Sequence, residues 1–248
     1  MRYFILSDIH SNIEALEACV QRAKQAGYDS VLCCGDIVGY GPNPVEAIDG
    51  IRQLNAVTIR GNHDRVAAGL DEPTQFNPHA RRAVYWTRAA LPEPYLDYLT
   101  KLPLGPLDIT AEAQLVHGAL THEDDYIFTE ADADENFQLT DKPLTFFGHS
   151  HFPVVFCSEE KGNSLQPISY EFDEFIAVKC ESGKKLLINP GSVGQPRDGD
   201  PRASFAIWDA DRARIEFYRV EYDLTLTQEK MRAANLPGYL IDRLAHGR

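Results

Sequence analysis

Two histidines separated by one residue follow an apolar run in the segment FFGHSHFP, from Phe146 to Pro153. Because alternate side chains of an extended chain point the same way, His149 and His151 can face one site. Neutral imidazole is the commonest metal ligand among side chains. The segment therefore indicates either a pair of metal ligands or a polar turn that happens to contain histidine.

Polar clusters also end four other apolar runs of the chain. These clusters contain Asp8 and His10, then Asp36, then Asn62 and His63, and finally His117. Taken singly, Asp and Asn are common turn residues, and a lone histidine in an apolar run is more often a core residue. However, five of the eight histidines lie in these clusters and in the GHSH segment. Independent turn preferences do not predict that concentration.

The elements that carry these clusters alternate between strand and helix in the first third of the chain. The runs RYFIL, SVLCCGD and AVTIRGN are typical of buried strands, and amphipathic segments separate them. A β-α-β-α-β order predicts a parallel sheet with right-handed crossovers. Since ligands bind at the carboxyl ends of such strands, we expect the polar clusters to meet at one sheet edge.

The remaining segments predict further helices and a second set of strands. The first helix should begin with a capping box of Ser11 and Glu14, and residues 74–91 and 93–102 are predicted to be helical. Residues 123–141 carry eight acids and no base, which is typical of a solvated face, with a short helix at 130–139. After Phe152 the runs VVFCS, SYEFDEFIAV, KKLLIN, SFAIWDA and RIEFYRVEY predict an antiparallel sheet. We expect one domain over residues 1–248.

Composition limits the classes of partner. A formal net charge of −13 disfavours binding to a long nucleic acid, although bound metals could still make a local site for phosphate. The five cysteines form no C-x-x-C pair, and no apolar run has the roughly 18 residues of a membrane helix. These features favour a cytoplasmic protein with no membrane partner.

The ligand types in the clusters are carboxylate, imidazole and amide, which suit divalent manganese, iron or zinc. Seven such side chains are too many for one tetrahedral zinc. They suit two metals, about 3.5–4 Å apart, that share a bridging carboxylate.

The five clusters, in this order, closely resemble the calcineurin-like metallophosphoesterase family. Its pattern D-x-H, G-D, G-N-H-D/E, H and G-H-x-H is matched from about Met1 to Gly194, including the turn NPGSVG. The segments DIVGYGPNP and FNPHARRAVYWTR are similar to a bacterial branch with small phosphodiesterases and diadenosine polyphosphate hydrolases. The resemblance implies a four-layer α/β/β/α sandwich, with a parallel-rich first sheet and an antiparallel-rich second sheet.

The resemblance also implies a role for each matched residue. It assigns the first metal to Asp8, His10, Asp36 and His151, and the second to Asp36, Asn62, His117 and His149. Asp36 would bridge two divalent ions, which the family draws from manganese, iron, zinc or nickel. His63 would be catalytic without binding metal, by contacting the phosphate or protonating the leaving oxygen. A hydroxide that bridges the metals would be the nucleophile.

The expected function is therefore that of a two-metal phosphoesterase for small phosphodiesters or nucleoside polyphosphates. The alternatives are a phosphoprotein (serine/threonine) phosphatase and a non-catalytic metal-binding scaffold of the same fold; His63 favours catalysis. Four more residues are candidates for specificity: Arg60 and Arg197 as phosphate contacts, Tyr40 as a base or phosphate contact or a loop-closing residue, and Asp64 as a partner of His63.

Overall fold

The structure is a computed structural model that describes residues 1–159, 162–167, 175–181 and 183–248. The strands are β1 (Arg2–Leu6), β2 (Ser30–Cys33), β3 (Val57–Thr58), β4 (Leu107–Asp108), β5 (Ala113–Leu115), β6 (Leu144–Phe146), β7 (Val154–Glu159), β8 (Gly162–Pro167), β9 (Phe175–Lys179), β10 (Leu186–Asn189), β11 (Ala203–Asp209) and β12 (Arg214–Val220). The helices are α1 (Ile13–Ala26), α2 (Pro44–Gln53), α3 (Asn62–Ala67), α4 (Pro78–Ala90), α5 (Glu93–Thr100), α6 (Glu130–Gln138), α7 (Leu224–Ala233) and α8 (Gly238–Leu244).

These strands form two six-stranded sheets. The first has the order β3-β2-β1-β11-β12-β9, and the second has the order β4-β5-β6-β10-β7-β8. In the first sheet β1, β2 and β3 are parallel, and in the second β5, β6 and β10 are parallel. The other pairs are antiparallel. The sequence predicts parallel strands first and antiparallel strands later in the chain. In the structure each sheet contains both kinds of pairing, because strands from the C-terminal part of the chain join both sheets.

Apolar side chains hold the two sheets face to face. The cluster between them includes Ile5 and Trp208 of the first sheet and Phe146 and Ile188 of the second, all buried. Such burial of aliphatic and aromatic side chains is the main favourable contribution to folding. The sheets therefore share one interior face.

Helices cover the two outer faces. Leu16 of α1 and Ile48 of α2 pack with Phe205 on the first sheet, while Phe137 of α6 packs with Phe156 on the second. The predicted α/β/β/α order of layers is confirmed.

Several element boundaries differ from the predicted ones. The N-cap of α1 is Asn12, whose side chain accepts a hydrogen bond from the Ala15 N–H at 3.2 Å, so the predicted Ser11–Glu14 capping box is wrong. Glu14 instead accepts a hydrogen bond from Thr227 of α7 at 2.9 Å. The helix predicted from residue 74 begins at Pro78, because Asn77 caps it.

The predicted strand at 169–178 overlaps β9, but residues 169–174 lie outside the described part of the chain. The predicted helix at 130–139 corresponds to α6. In the described ranges, none of the helices has the length and apolar character that crossing a bilayer requires.

Candidate metal centre

The predicted polar clusters meet where strand ends of both sheets come together. Asp8, Asp36 and Asn62 follow β1, β2 and β3 of the first sheet, whereas His117 and His149 follow β5 and β6 of the second. The expectation of a single sheet edge is therefore wrong. The apolar cluster packs the two sheets so that their parallel strands end on the same side. The site lies at that end of the sheet pair.

One group of ligating atoms contains Asp8, His10 and His151, which are all buried. The Nε2 atom of His151 lies 3.3 Å from Asp8 Oδ1, and the Nε2 atom of His10 lies 3.8 Å from the same oxygen. The Asp8 carboxylate also accepts the backbone N–H of His149. This group corresponds to the first predicted metal site.

A second group contains Asp36, His117 and His149. The Nε2 atom of His117 lies 3.4 Å from Asp36 Oδ2 and 3.1 Å from Asn62 Oδ1. Since the same Asp36 oxygen is 3.6 Å from His10 Nε2, the carboxylate lies between the two groups. The structure thus brings all seven predicted ligands together, with Asp36 where a bridge would be.

Hydrogen bonds to backbone carbonyls fix which nitrogen of each imidazole faces the centre. The Nδ1 atoms of His10, His117 and His151 lie 3.0, 2.8 and 2.6 Å from the carbonyl oxygens of Val38, Cys34 and Gln195, respectively. A carbonyl can only accept, so each Nδ1 carries a proton and each Nε2 faces the centre, where it presents a lone pair whenever the ring is neutral. In His149 it is the Nε2 atom that donates, to the Asp124 carbonyl at 3.1 Å, so its Nδ1 atom presents the lone pair.

This donor set fits divalent metal ions. With Nδ1 protonated, the Nε2 lone pairs of His10 and His151 face each other at 3.1 Å, which is repulsive unless a cation lies near both. The His117 Nε2 atom lies 3.1 Å from Asn62 Oδ1, which can only accept, so this nitrogen needs either a proton or a metal ion. Neutral imidazoles oriented by backbone carbonyls are the usual arrangement around protein-bound transition metals.

Backbone conformation supports the same interpretation. Asp8, His10, Asp36, His149 and His151 all have positive φ, between 49° and 65°. Such a conformation costs energy for a residue with a Cβ atom and is concentrated at functional sites. These side chains therefore point into the centre from strained backbone conformations.

Burial and mutual charge set the ionisation of the centre. Burial lowers the pKa values of His10, His149 and His151, so these imidazoles are neutral near pH 7. Although burial opposes charge on both groups, attraction between Asp36 and His117 holds the Asp36 pKa well below 3.8 and raises that of His117 to about 10. The metal-free centre therefore holds one buried ion pair.

His63 lies beside the ligands and lines the adjoining cavity. Its backbone N–H donates to Asp36 Oδ1 at 2.8 Å, and its ring packs 4.3 Å from Tyr40 and 4.5 Å from Phe76, between centroids. Burial lowers the pKa of His63 to about 4. Its Nδ1 atom is buried and has no hydrogen-bond partner in the described residues. His63 is thus a neutral imidazole with unused hydrogen-bonding capacity.

The additional candidates have distinct surroundings. Asp64 accepts the N–H groups of Val38 at 3.1 Å and Gly61 at 3.0 Å, so its carboxylate caps the start of α3 and does not orient His63. Arg60 donates to Glu123, which places its guanidinium in an ion pair. The predicted solvated face at 123–141 is wrong at its beginning, because Glu123 also pairs with Arg65.

Arg197 borders the centre together with Tyr40. Its guanidinium hydrogen-bonds to Gln195 Oε1 at 3.0 Å and to the Tyr40 hydroxyl at 3.4 Å. Both residues line a cavity of about 100 Å³ with Asp36, His63 and His151. A larger groove of about 790 Å³ lies between α1 and α2, but it contains none of the predicted ligands.

The sequence did not predict the roles of two sets of groups at this cavity, namely backbone carbonyls and aromatic side chains. The carbonyl oxygens that orient the imidazoles belong to the backbone, and side-chain patterns do not reveal them. Tyr126 stacks on His149 with centroids 4.1 Å apart, and Phe76 covers His63. The position of Tyr126 directly after two acidic residues, Asp124 and Asp125, is the sequence feature that could have indicated it.

Comparison with known proteins identifies the family. Residues 1–213 match the model of the calcineurin-like phosphoesterase superfamily domain. The crystal structure of a metallophosphoesterase from Sphaerobacter thermophilus is 40% identical, with a TM-score of 0.88, covering 100% of this chain and 99% of that one. The uncharacterized protein MJ0912 of Methanocaldococcus jannaschii is 39% identical over 98% of this chain and 97% of its own.

A more distant relative is the phosphodiesterase YfcE of Escherichia coli, at 22% identity over 85% of this chain and 89% of its own length. The family model matches most of the chain, and the Sphaerobacter and Methanocaldococcus proteins align with it over nearly their whole length. The chain therefore belongs to the calcineurin-like phosphoesterase superfamily and is, by that membership, a metal-dependent phosphoric ester hydrolase.

Proposed function

We propose that the protein hydrolyses small phosphodiesters or nucleoside polyphosphates at a centre of two divalent metal ions. The observation that carries this proposal is the position of Asp36 Oδ2, 3.6 Å from His10 Nε2 and 3.4 Å from His117 Nε2. One carboxylate between two sets of imidazole ligands is the arrangement that a shared ligand of two metals requires.

In this proposal Asp8, His10, Asp36 and His151 hold one ion, and Asp36, Asn62, His117 and His149 hold the other. Bound divalent ions would supply an activated water and neutralise charge on the phosphoryl oxygens. Manganese, iron, zinc and nickel all suit these donors.

The chain's own groups then bind and orient the substrate. Arg197 presents a guanidinium to the cavity, and guanidinium groups pair with phosphate through two parallel hydrogen bonds. His63, which lines the same cavity, contacts a phosphoryl oxygen or the leaving oxygen. Phe76 and Tyr126 also line the cavity, where they pack against the rings of His63 and His149, respectively.

We favour a small phosphodiester over a phosphoprotein as substrate, and the cavity beside the centre has room for its phosphoryl group. The volume of the cavity is about 100 Å³, with walls that include Tyr40, Phe76 and Tyr126. The name of the YfcE relative, a phosphodiesterase, supports the same substrate class. A non-catalytic scaffold is disfavoured because His63 is buried beside the centre with an unused Nδ1 atom.

The test is hydrolysis of bis-p-nitrophenyl phosphate by metal-stripped protein refilled with manganese. His63→Ala and a phosphoserine peptide are assayed in parallel, and bound metal is counted in every sample. We expect manganese-dependent turnover of the diester, little turnover of the peptide, and loss of activity in His63→Ala with two metals still bound. Peptide turnover above diester turnover would indicate a phosphoprotein phosphatase, and inactivity with both ions bound would indicate a scaffold.

A further inference from the structure

Three exposed aromatic rings form a continuous surface that begins at the metal centre. Tyr126, Phe128 and Phe152 are 45%, 49% and 37% exposed, although large apolar side chains are usually buried in a folded chain. Tyr126 stacks on His149, Phe128 stacks on Tyr126 with centroids 5.1 Å apart, and Phe152 meets Phe128 edge-on at 5.8 Å. We call these three residues the aromatic platform.

The platform is held in place by ion pairs and a helix cap. Arg65 pairs with Asp124 at 2.6 Å, just before Tyr126, and Arg60 pairs with the neighbouring Glu123. After Phe128, Thr129 caps α6, and the Phe128 N–H donates to Asp132 Oδ2 at 3.0 Å. Both ends of the segment are thus fixed, so the rings are presented in a defined orientation before any ligand binds.

Tyr126 connects the platform to the cavity of the proposed reaction. This tyrosine lines the same cavity as His63 and Arg197, while Phe128 lies one ring further out. A ligand whose phosphate occupies this cavity is therefore within reach of Tyr126, the first ring of the platform. Exposed aromatic rings bind flat, neutral ring systems by stacking, and every nucleobase offers such a face.

The charges around the platform restrict what it can accept. The three rings carry no charge, and the acidic residues Asp124 and Asp125 directly precede Tyr126, so the platform suits a neutral base better than an anionic group. We infer that the aromatic platform of Tyr126, Phe128 and Phe152 binds the nucleobase of a nucleotide substrate. This inference rests on the proposed function, because the phosphate must lie at the metal centre for the base to reach Phe128.

The test compares two phosphate monoesters that differ only in the base. The dissociation constants of AMP and ribose 5-phosphate are measured by calorimetry with manganese-loaded protein, and phosphate release is assayed in the same samples so that heat of hydrolysis is not taken for heat of binding. We expect AMP to bind roughly 5- to 150-fold more tightly, the range that stacking of one base provides. In Phe128→Leu this ratio should fall toward one, whereas Phe128→Tyr, which keeps an aromatic ring, should retain it.

Each outcome separates this inference from the proposed function. Equal binding of AMP and ribose 5-phosphate by the wild type would overturn the nucleobase site and leave the phosphate site intact. A preference for AMP that survives in Phe128→Leu would also overturn it, by locating the base elsewhere. Binding of neither ligand would contradict both proposals. Metal counts and melting temperatures of the two variants exclude misfolding as a cause.

Discussion

The Nε2 atoms of His10 and His151 face each other at 3.1 Å, while the Nδ1 atom of each ring donates to a backbone carbonyl. Two lone pairs in this position, buried and close to Asp8, are stable only when a cation is near both. Folding of the chain therefore prepares a cation site before any metal arrives.

Metal removal should accordingly destabilise the protein. A ligand that binds only the native state stabilises it by about 2.7 kcal/mol per site at a concentration 100-fold above its dissociation constant. We expect manganese to raise the melting temperature of the metal-stripped protein. His151→Ala should lose much of that increase, because it removes one of the facing nitrogens. An equal melting temperature with manganese and with chelator would contradict a structural cation site.

Gly39 should control the position of His63. Gly39 has a φ of 94°, and a Cβ atom there would lie 2.4 Å from His63 Nδ1. We expect Gly39→Ala to displace the imidazole and lower kcat by up to about 100-fold, with both metals still bound. The assay is diester hydrolysis with metal analysis.

The matched control for Gly39 is Gly27→Ala at the end of α1. Gly27 has a similar φ of 81°, but a Cβ atom there would meet nothing within 4 Å. The control should therefore suffer the same backbone strain with unchanged kcat. A similar loss of activity in both variants would attribute the effect to strain and not to His63.

Arg197 should contact the substrate directly, whereas Arg60 should not. A charge-assisted hydrogen bond contributes about 1.5–3 kcal/mol, so Arg197→Ala should lower kcat/KM by roughly 10- to 150-fold. Arg197→Lys should recover part of this loss because it keeps the charge. Arg60→Ala is the comparison and should cost less, because Arg60 pairs with Glu123 and acts only through the segment that carries Tyr126. If steady-state kinetics showed a larger loss of kcat/KM in Arg60→Ala than in Arg197→Ala, the roles assigned to the two arginines would be reversed.

The ion pairs of Glu123 should make stability depend on pH in the acid range. Although burial disfavours its charge, hydrogen bonding to Arg60 and the charge of Arg65 lower the pKa of Glu123 below 4.5. A lowered carboxylate pKa contributes stability that is fully present above pH 4.5 and is lost as the pH falls through the folded-state pKa.

We therefore expect Glu123→Gln to lower the melting temperature by about 2–4 °C at pH 7, with the difference shrinking below pH 4.5. Thermal unfolding followed by circular dichroism at several pH values measures this. Glu135→Gln, at an exposed position of α6, is the control and should change little at any pH. A deficit of constant size across the pH series would mean that the charge of Glu123 is not its cause.

Much of the candidate site follows from the sequence alone. The types and order of the ligands, from Asp8 to His151, are visible because each cluster directly follows an apolar run that is long enough to be a buried strand. Strand ends are where the chain turns, so polar residues there are local in sequence. The family pattern and the α/β fold rest on the same local signals, and the family match confirms both.

Other features were decided only when the chain folded. The distribution of the ligands over two sheets depends on apolar packing between Phe146 and Trp208, which are distant in sequence. The carbonyls that orient His10 and His151 are backbone atoms, and their positions depend on turns with positive φ. The aromatic platform depends on ion pairs that join residues 60 and 65 to residues 123 and 124.

Local sequence thus determined which groups could do the chemistry, because residue type and strand periodicity are short-range properties. Tertiary structure decided how those groups are aimed and what surrounds them. Orientation and access result from contacts between segments that are far apart in the chain, and a pattern read along the sequence does not contain those contacts.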